Sequence, residues 1–141
     1  MTQNESSKAW LSNARRHFLD LYSMALADSS VDVSELELLY RIGLENGVSK
    51  ADIDECITRS EPAEEMIPDT LEMKAEYLYN LVRMAWADGR IDPEEERALG
   101  HFCRKFGFKE ENVAAIVGFF VEQTQQGVPL EEVKRIVVEN A

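Results

Sequence analysis

The chain has 141 residues, a formal net charge of −12 and a 45% hydrophobic fraction. That length suits one domain, and that fraction can supply a core. The charge argues against nucleic acid and anionic membrane surfaces, which both draw on Lys and Arg, and favours cations and basic partners.

From Ser7 to Ala27, apolar residues recur at helical spacing: Trp10, Ala14, Phe18, Leu21, Met24 and Ala25. Asp32 is a good N-cap for a second helix, and Glu35, three residues on, predicts a capping box. That helix carries Leu36, Leu39 and Ile42 and stops at Asn46-Gly47. Ser49 with Asp52 opens a third helix through Ile53 and Ile57 to about Arg59. Glu61 to Thr70, with Pro62 and Pro68, is the break between halves. Thr70 caps a fourth helix bearing Leu71, Leu78, Leu81, Val82, Ala85 and Trp86. Asp92-Pro93, a cap followed by proline at the first helical position, starts a fifth that ends at Gly107. A sixth spans roughly Glu110 to Gln126, and a last one follows Pro129.

No stretch alternates with period two for long enough to be a strand. The fold class expected is therefore all-α: a compact bundle of seven to eight helices. The stretch from Val113 to Val121 is apolar on nearly all sides. It is expected at the centre of the bundle, with a homodimer interface as the alternative. It is also the longest apolar run, at nine residues, and a membrane span needs about 20. Met1 to Lys8 is polar and unlike a signal peptide. Cys56 and Cys103 lie on apolar faces without metal spacing and read as free core thiols. A soluble cytoplasmic protein is the expectation, with membrane association only peripheral and through a partner.

The chain also repeats itself. Met24-Ala25-Leu26-Ala27-Asp28-Ser29-Ser30-Val31-Asp32-Val33-Ser34-Glu35 returns sixty residues later as Met84-Ala85-Trp86-Ala87-Asp88-Gly89-Arg90-Ile91-Asp92-Pro93-Glu94-Glu95. The register holds through Leu39 and Leu99 to Gly47 and Gly107. Such a repeat implies one helical unit copied and packed against itself. The first copy covers about 17–59, a linker about 60–69, the second copy about 77–119, and a C-terminal helix about 129–140.

Each copy places three carboxylates at a helix junction: Asp28, Asp32 and Glu35, then Asp88, Asp92 and Glu95. Carboxylates gathered around one short loop are hard oxygen ligands, suited to Ca²⁺ or Mg²⁺. The second copy matches the end of an EF-hand loop, but Met84 and Trp86 stand where its first two carboxylates belong. Capping accounts for Asp32 and Asp92, each cap being worth about 1 kcal/mol. Asp28 and Asp88 face the unfavourable end of a helix dipole and call for compensation. An Asx-turn to the amide of residue 30 or 90, a salt bridge such as one to Arg90, or a cation would each provide it.

The run Ala87-Asp88-Gly89-Arg90-Ile91-Asp92-Pro93-Glu94-Glu95, following an apolar helix, resembles the TerB-like family of tellurite-resistance proteins. Residues 27–35 resemble the same signature in weaker form, with Ser29 at the family's glycine position. The resemblance covers about 15–141. It implies a duplicated all-α domain, a bacterial stress-response or tellurite-resistance setting, protein partners, and a divalent-cation role for the six carboxylates. It implies no reaction.

His17 and His101 lack the ExxH or HExxH partners that zinc and di-iron sites use. No nucleophile elbow or phosphate-binding glycine loop is present. The reading is a non-enzymatic, cation-linked adaptor. The alternative is a metal-free helical protein–protein interaction module, and a weaker one is a metal-assisted hydrolase using the same carboxylates.

Overall fold

A computed structural model describes residues 2–58, 66–85 and 91–140, with side chains described from Trp10 onward. Among the described residues the chain is all helix: α1 (Thr2–Ala27), α2 (Val33–Glu45), α3 (Lys50–Thr58), α4 (Leu71–Ala85), α5 (Pro93–Lys105), α6 (Glu110–Gln125) and α7 (Leu130–Glu139). None of these helices is long and apolar enough to cross a membrane.

The ends of the helices follow from local chemistry. Asp32 and Asp92 both hold extended backbone and accept the amide of the residue three positions on. The hydroxyls of Ser49 and Thr70 accept the amides of Asp52 and Met73 in the same way. At the other end, Gly47 and Gly107 adopt φ of +82° and +92°. Each lets the following residue bond back into the helix, Val48 to Gly43 and Phe108 to Cys103. The two copies thus start and stop alike.

The centre of the bundle is α4. Tyr77 to Val82 are buried without interruption, which requires neighbours on every side of the helix. Those neighbours are α1, α7, α6, α5 and α2. This overturns the expectation that the Val113–Val121 helix is central. On α6 only Val113, Val117 and Phe120 are buried, while Ala114, Ala115 and Gly118 are exposed. Alanine and glycine lengthen an apolar run without offering much surface to bury, so the bulkier α4 takes the middle.

The core joins both copies. Phe18, Leu21, Met24, Leu39, Leu78, Val82 and Leu99 are all nearly inaccessible, and each side chain of this kind gains roughly 1.5–3 kcal/mol on burial. Helix α2 approaches α1 closely at Gly43, where an added Cβ would stand 2.7 Å from Cε2 of Phe18. Cys56 and Cys103 are buried and free, and burial pushes the Cys103 thiol up to about 12.

Positions that correspond in the sequence repeat also touch. His17 and Tyr77 hold equivalent places in the two copies, sixty residues apart, and their rings stack at 4.1 Å and 12°. Each then reaches the residue three positions on in the other copy. His17 Nδ1 lies 2.9 Å from Asn80 Nδ2, and the Tyr77 hydroxyl donates to Asp20 at 3.0 Å. Equivalent residues meeting head to head mark a local two-fold relationship between α1 and α4.

Candidate functional site at the helix junctions

The first junction runs from the end of α1 to the start of α2. Oδ1 of Asp28 accepts both the amide and the hydroxyl of Ser30, at 2.9 and 2.7 Å. This is an Asx-turn, one of the three compensations the sequence left open. Partial burial raises the Asp28 pKa. The two Ser30 bonds, with the charges of His101 and Lys105, outweigh it and hold the carboxyl below its ordinary value.

Oδ1 of Asp32 accepts the Glu35 amide at 2.9 Å and the Ser34 hydroxyl at 2.8 Å. The Glu35 amide and then the Ser34 hydroxyl lower its pKa by favouring the charged form.

Glu35 departs from the expectation. It neither closes a capping box nor points back at the loop. Its side chain is 3% exposed and turns towards α5, with Oε2 2.7 Å from Nδ1 of His101 and Oε1 3.6 Å from Nε of Arg97. Among the described residues neither Oε2 of Glu35 nor Nδ1 of His101 has a directed hydrogen bond, so close approach of the two atoms is their main compensation. The physical reason is position. Glu35 lies on the inner face of α2, next to Leu38, Leu39 and Ile42, where that helix meets α5.

In the second copy, Glu95 does close the box. It accepts the Asp92 amide at 2.9 Å while Asp92 accepts its amide at 3.0 Å. Asp88 and Arg90 lie outside the described residues, so Asp92 and Glu95 are the described part of that set.

A divalent cation needs several oxygens aimed at one point. Among the described residues no three His, Cys, Asp or Glu side chains gather so as to hold a metal ion. In the first loop, Asp28 serves a turn, Asp32 a cap and Glu35 a contact between halves. As placed, these three do not form a cation cage.

Two features escaped the sequence reading. His101 has a side chain only 14% exposed and faces Glu35. His17 is buried, at 7% exposure. It joins a polar chain with Asn80 and Trp10, whose indole donates to Asn80 Oδ1 at 2.9 Å. The available signal for that chain was an amide, Asn80, set among Leu78, Leu81 and Val82 in the apolar stretch of α4.

A different surface collects exposed apolar side chains. Val33 is 70% exposed and Leu44 43%. Half-buried Leu36 and Tyr40 lie between them at steps of three and four residues, so the four share one face of α2. Exposed Glu37, Arg41 and Glu45 border this stripe on one side.

No family model, no curated protein and no solved structure matches this chain.

Proposed function

We propose that this protein is a non-enzymatic helical interaction domain that takes a basic, amphipathic helical segment of a partner protein on the outer face of α2. The observation that carries the reading is the stripe Val33, Leu36, Tyr40 and Leu44, an apolar seam at helical spacing whose ends Val33 and Leu44 are open to solvent and which Glu37, Arg41 and Glu45 border on one side. A helix laid on such a seam buries its own apolar anchors at the same spacing. The net charge of −12 draws a basic partner and disfavours acidic ones. On this reading Asp28, Asp32, Asp92 and Glu95 shape the junctions that hold the bundle together, and Glu35 ties its halves. A tellurite-resistance or stress-response setting rests on the resemblance of residues 27–35 and 87–95 alone.

The test uses a synthetic amphipathic Leu/Lys helix as probe, with binding followed by fluorescence anisotropy. Saturable binding that falls at least about tenfold in Val33→Ser/Leu44→Ser, but not in Met73→Ser on α4, supports the seam. Met73 is a suitable control because it too is exposed. Equal binding to all three proteins, vanishing at high salt, reduces the effect to bulk charge and overturns the reading.

A further inference from the structure

The polar chain around His17 has a fixed direction. The Trp10 indole can only donate, so Oδ1 of Asn80 must face it and Nδ2 must face His17. Nδ2 also only donates, so Nδ1 of His17 must be the acceptor and the ring proton must sit on Nε2. That nitrogen faces Glu76 at 3.9 Å, and the other Glu76 oxygen takes the Lys134 ammonium at 3.0 Å. Trp10, Asn80, His17, Glu76 and Lys134 therefore form one line from α1 through α4 to α7.

This line has no satisfied form once His17 carries two protons. Protonated Nδ1 is a donor and would meet the donor Nδ2 of Asn80 at 2.9 Å. Turning the amide over would satisfy His17 and set Nδ2 against the Trp10 indole, again donor on donor. Either way one bond is lost, and Asn80, at 1% exposure, has no water to replace it.

We propose that Trp10, Asn80 and His17 form an acid-sensitive latch, which releases the N-terminal turns of α1 from α4 when His17 takes up its second proton. Trp10 is the anchor for those turns, held by Asn80 and by the Arg83 guanidinium 3.9 Å over its ring.

The charged and titratable groups facing His17 come from three helices. Arg16 and Asp20 flank it on α1, Glu76 and Tyr77 face it from α4, and Lys134 of α7 neutralises Glu76. Burial holds His17 below its ordinary value of 6.5, and Arg16 acts in the same direction, while Glu76 and Asp20 oppose them. The latch is therefore closed at neutral pH. A depressed histidine contributes stability above 6.5, and that contribution is lost as pH falls through the folded value.

The experiment follows the Trp10 indole N–H by NMR in the full chain from about pH 7.5 to about pH 5, with the resonance assigned by its absence in Trp10→Phe. Indole exchange is expected to quicken on the order of fivefold to tenfold beyond the ordinary pH dependence of exchange, with the helical signal intact, and not to do so in His17→Gln. Asn80→Asp should reverse the effect, because a carboxylate accepts from both the indole and protonated His17. In that variant His17 should titrate at higher pH and Trp10 should stay anchored in acid. His101→Gln should behave as the parent protein. Three results would each overturn the latch: a Trp10 signal unchanged while His17 titrates, release only together with loss of all helix, or an Asn80→Asp protein that releases Trp10 as the parent does.

Discussion

Oε2 of Glu35 and Nδ1 of His101 stand 2.7 Å apart, although one belongs to the first copy and the other to the second. The place equivalent to His101 in the first copy is Arg41, which is exposed. The two copies have therefore diverged at the seam that joins them, and a carboxylate has become part of the interior between α2 and α5. Removing one member of so buried a pair leaves the other poorly solvated.

Glu35→Gln and His101→Gln should not be additive in stability. A double-mutant cycle in urea is expected to give a coupling of about 1 kcal/mol or more. A coupling near zero would mean that the two side chains are merely adjacent.

Asp92→Ala removes the acceptor of the Glu95 amide from a complete capping box, while the backbone amide of residue 92 can still donate to the Glu95 carboxylate. A loss of about 1 kcal/mol is expected, with the same value in EDTA and in millimolar Ca²⁺ or Mg²⁺. A loss seen only with metal present would assign Asp92 to a cation instead.

Ca²⁺ or Mg²⁺ should change the Tm of the EDTA-stripped protein and of Asp28→Asn by the same amount, since Asp28 is engaged in a turn with Ser30 and a ligand raises Tm only through the residues that hold it. A saturable rise that disappears in Asp88→Asn would place a cation at the second junction and restore the cation-linked adaptor.

Asp28 has a depressed pKa, so its charged form contributes stability above the ordinary value of 3.8, and that contribution fades as pH falls through the folded value. The stability difference between the parent protein and Asp28→Asn is expected to be largest above about pH 4 and to shrink below it. A difference that grows in acid would contradict this sign.

Gly43→Ala sets two effects against each other. Alanine favours the helix by up to about 1 kcal/mol. Its Cβ would, however, press on a buried Phe18 ring at 2.7 Å, and overpacking costs about 1–3 kcal/mol. Net destabilisation is expected in chemical denaturation. A neutral or stabilised variant would show that α1 and α2 can move apart freely.

The helices, their caps and the duplication were legible in the sequence because they depend on neighbours in the chain. Asp32, Ser49, Thr70 and Asp92 act on amides three residues away, and Gly47 and Gly107 act on the turn they end. The Asx-turn of Asp28 is equally local, reaching the amide two residues on. Periodicity alone could separate the inner from the outer face on α1, where Ala14, Phe18, Leu21 and Ala25 fall on one buried stripe.

Periodicity could not rank the helices by depth. An apolar run of small residues on α6 and a bulkier run on α4 look equally buried in a pattern, yet only the bulkier one gains enough from burial to hold the centre. Nor could it place a long polar side chain. Glu35 sits at the position of a capping-box glutamate, as Glu95 does, and the choice between a local amide and a distant imidazole depends on what α5 presents to it. The same holds for His17, whose partners lie 63 and 59 residues away in the chain on one neighbouring helix. Short-range hydrogen bonding is thus written in the sequence of this protein. Which polar groups are buried, and against what, was decided only when the two copies packed together, because that cost and its compensation belong to pairs of helices.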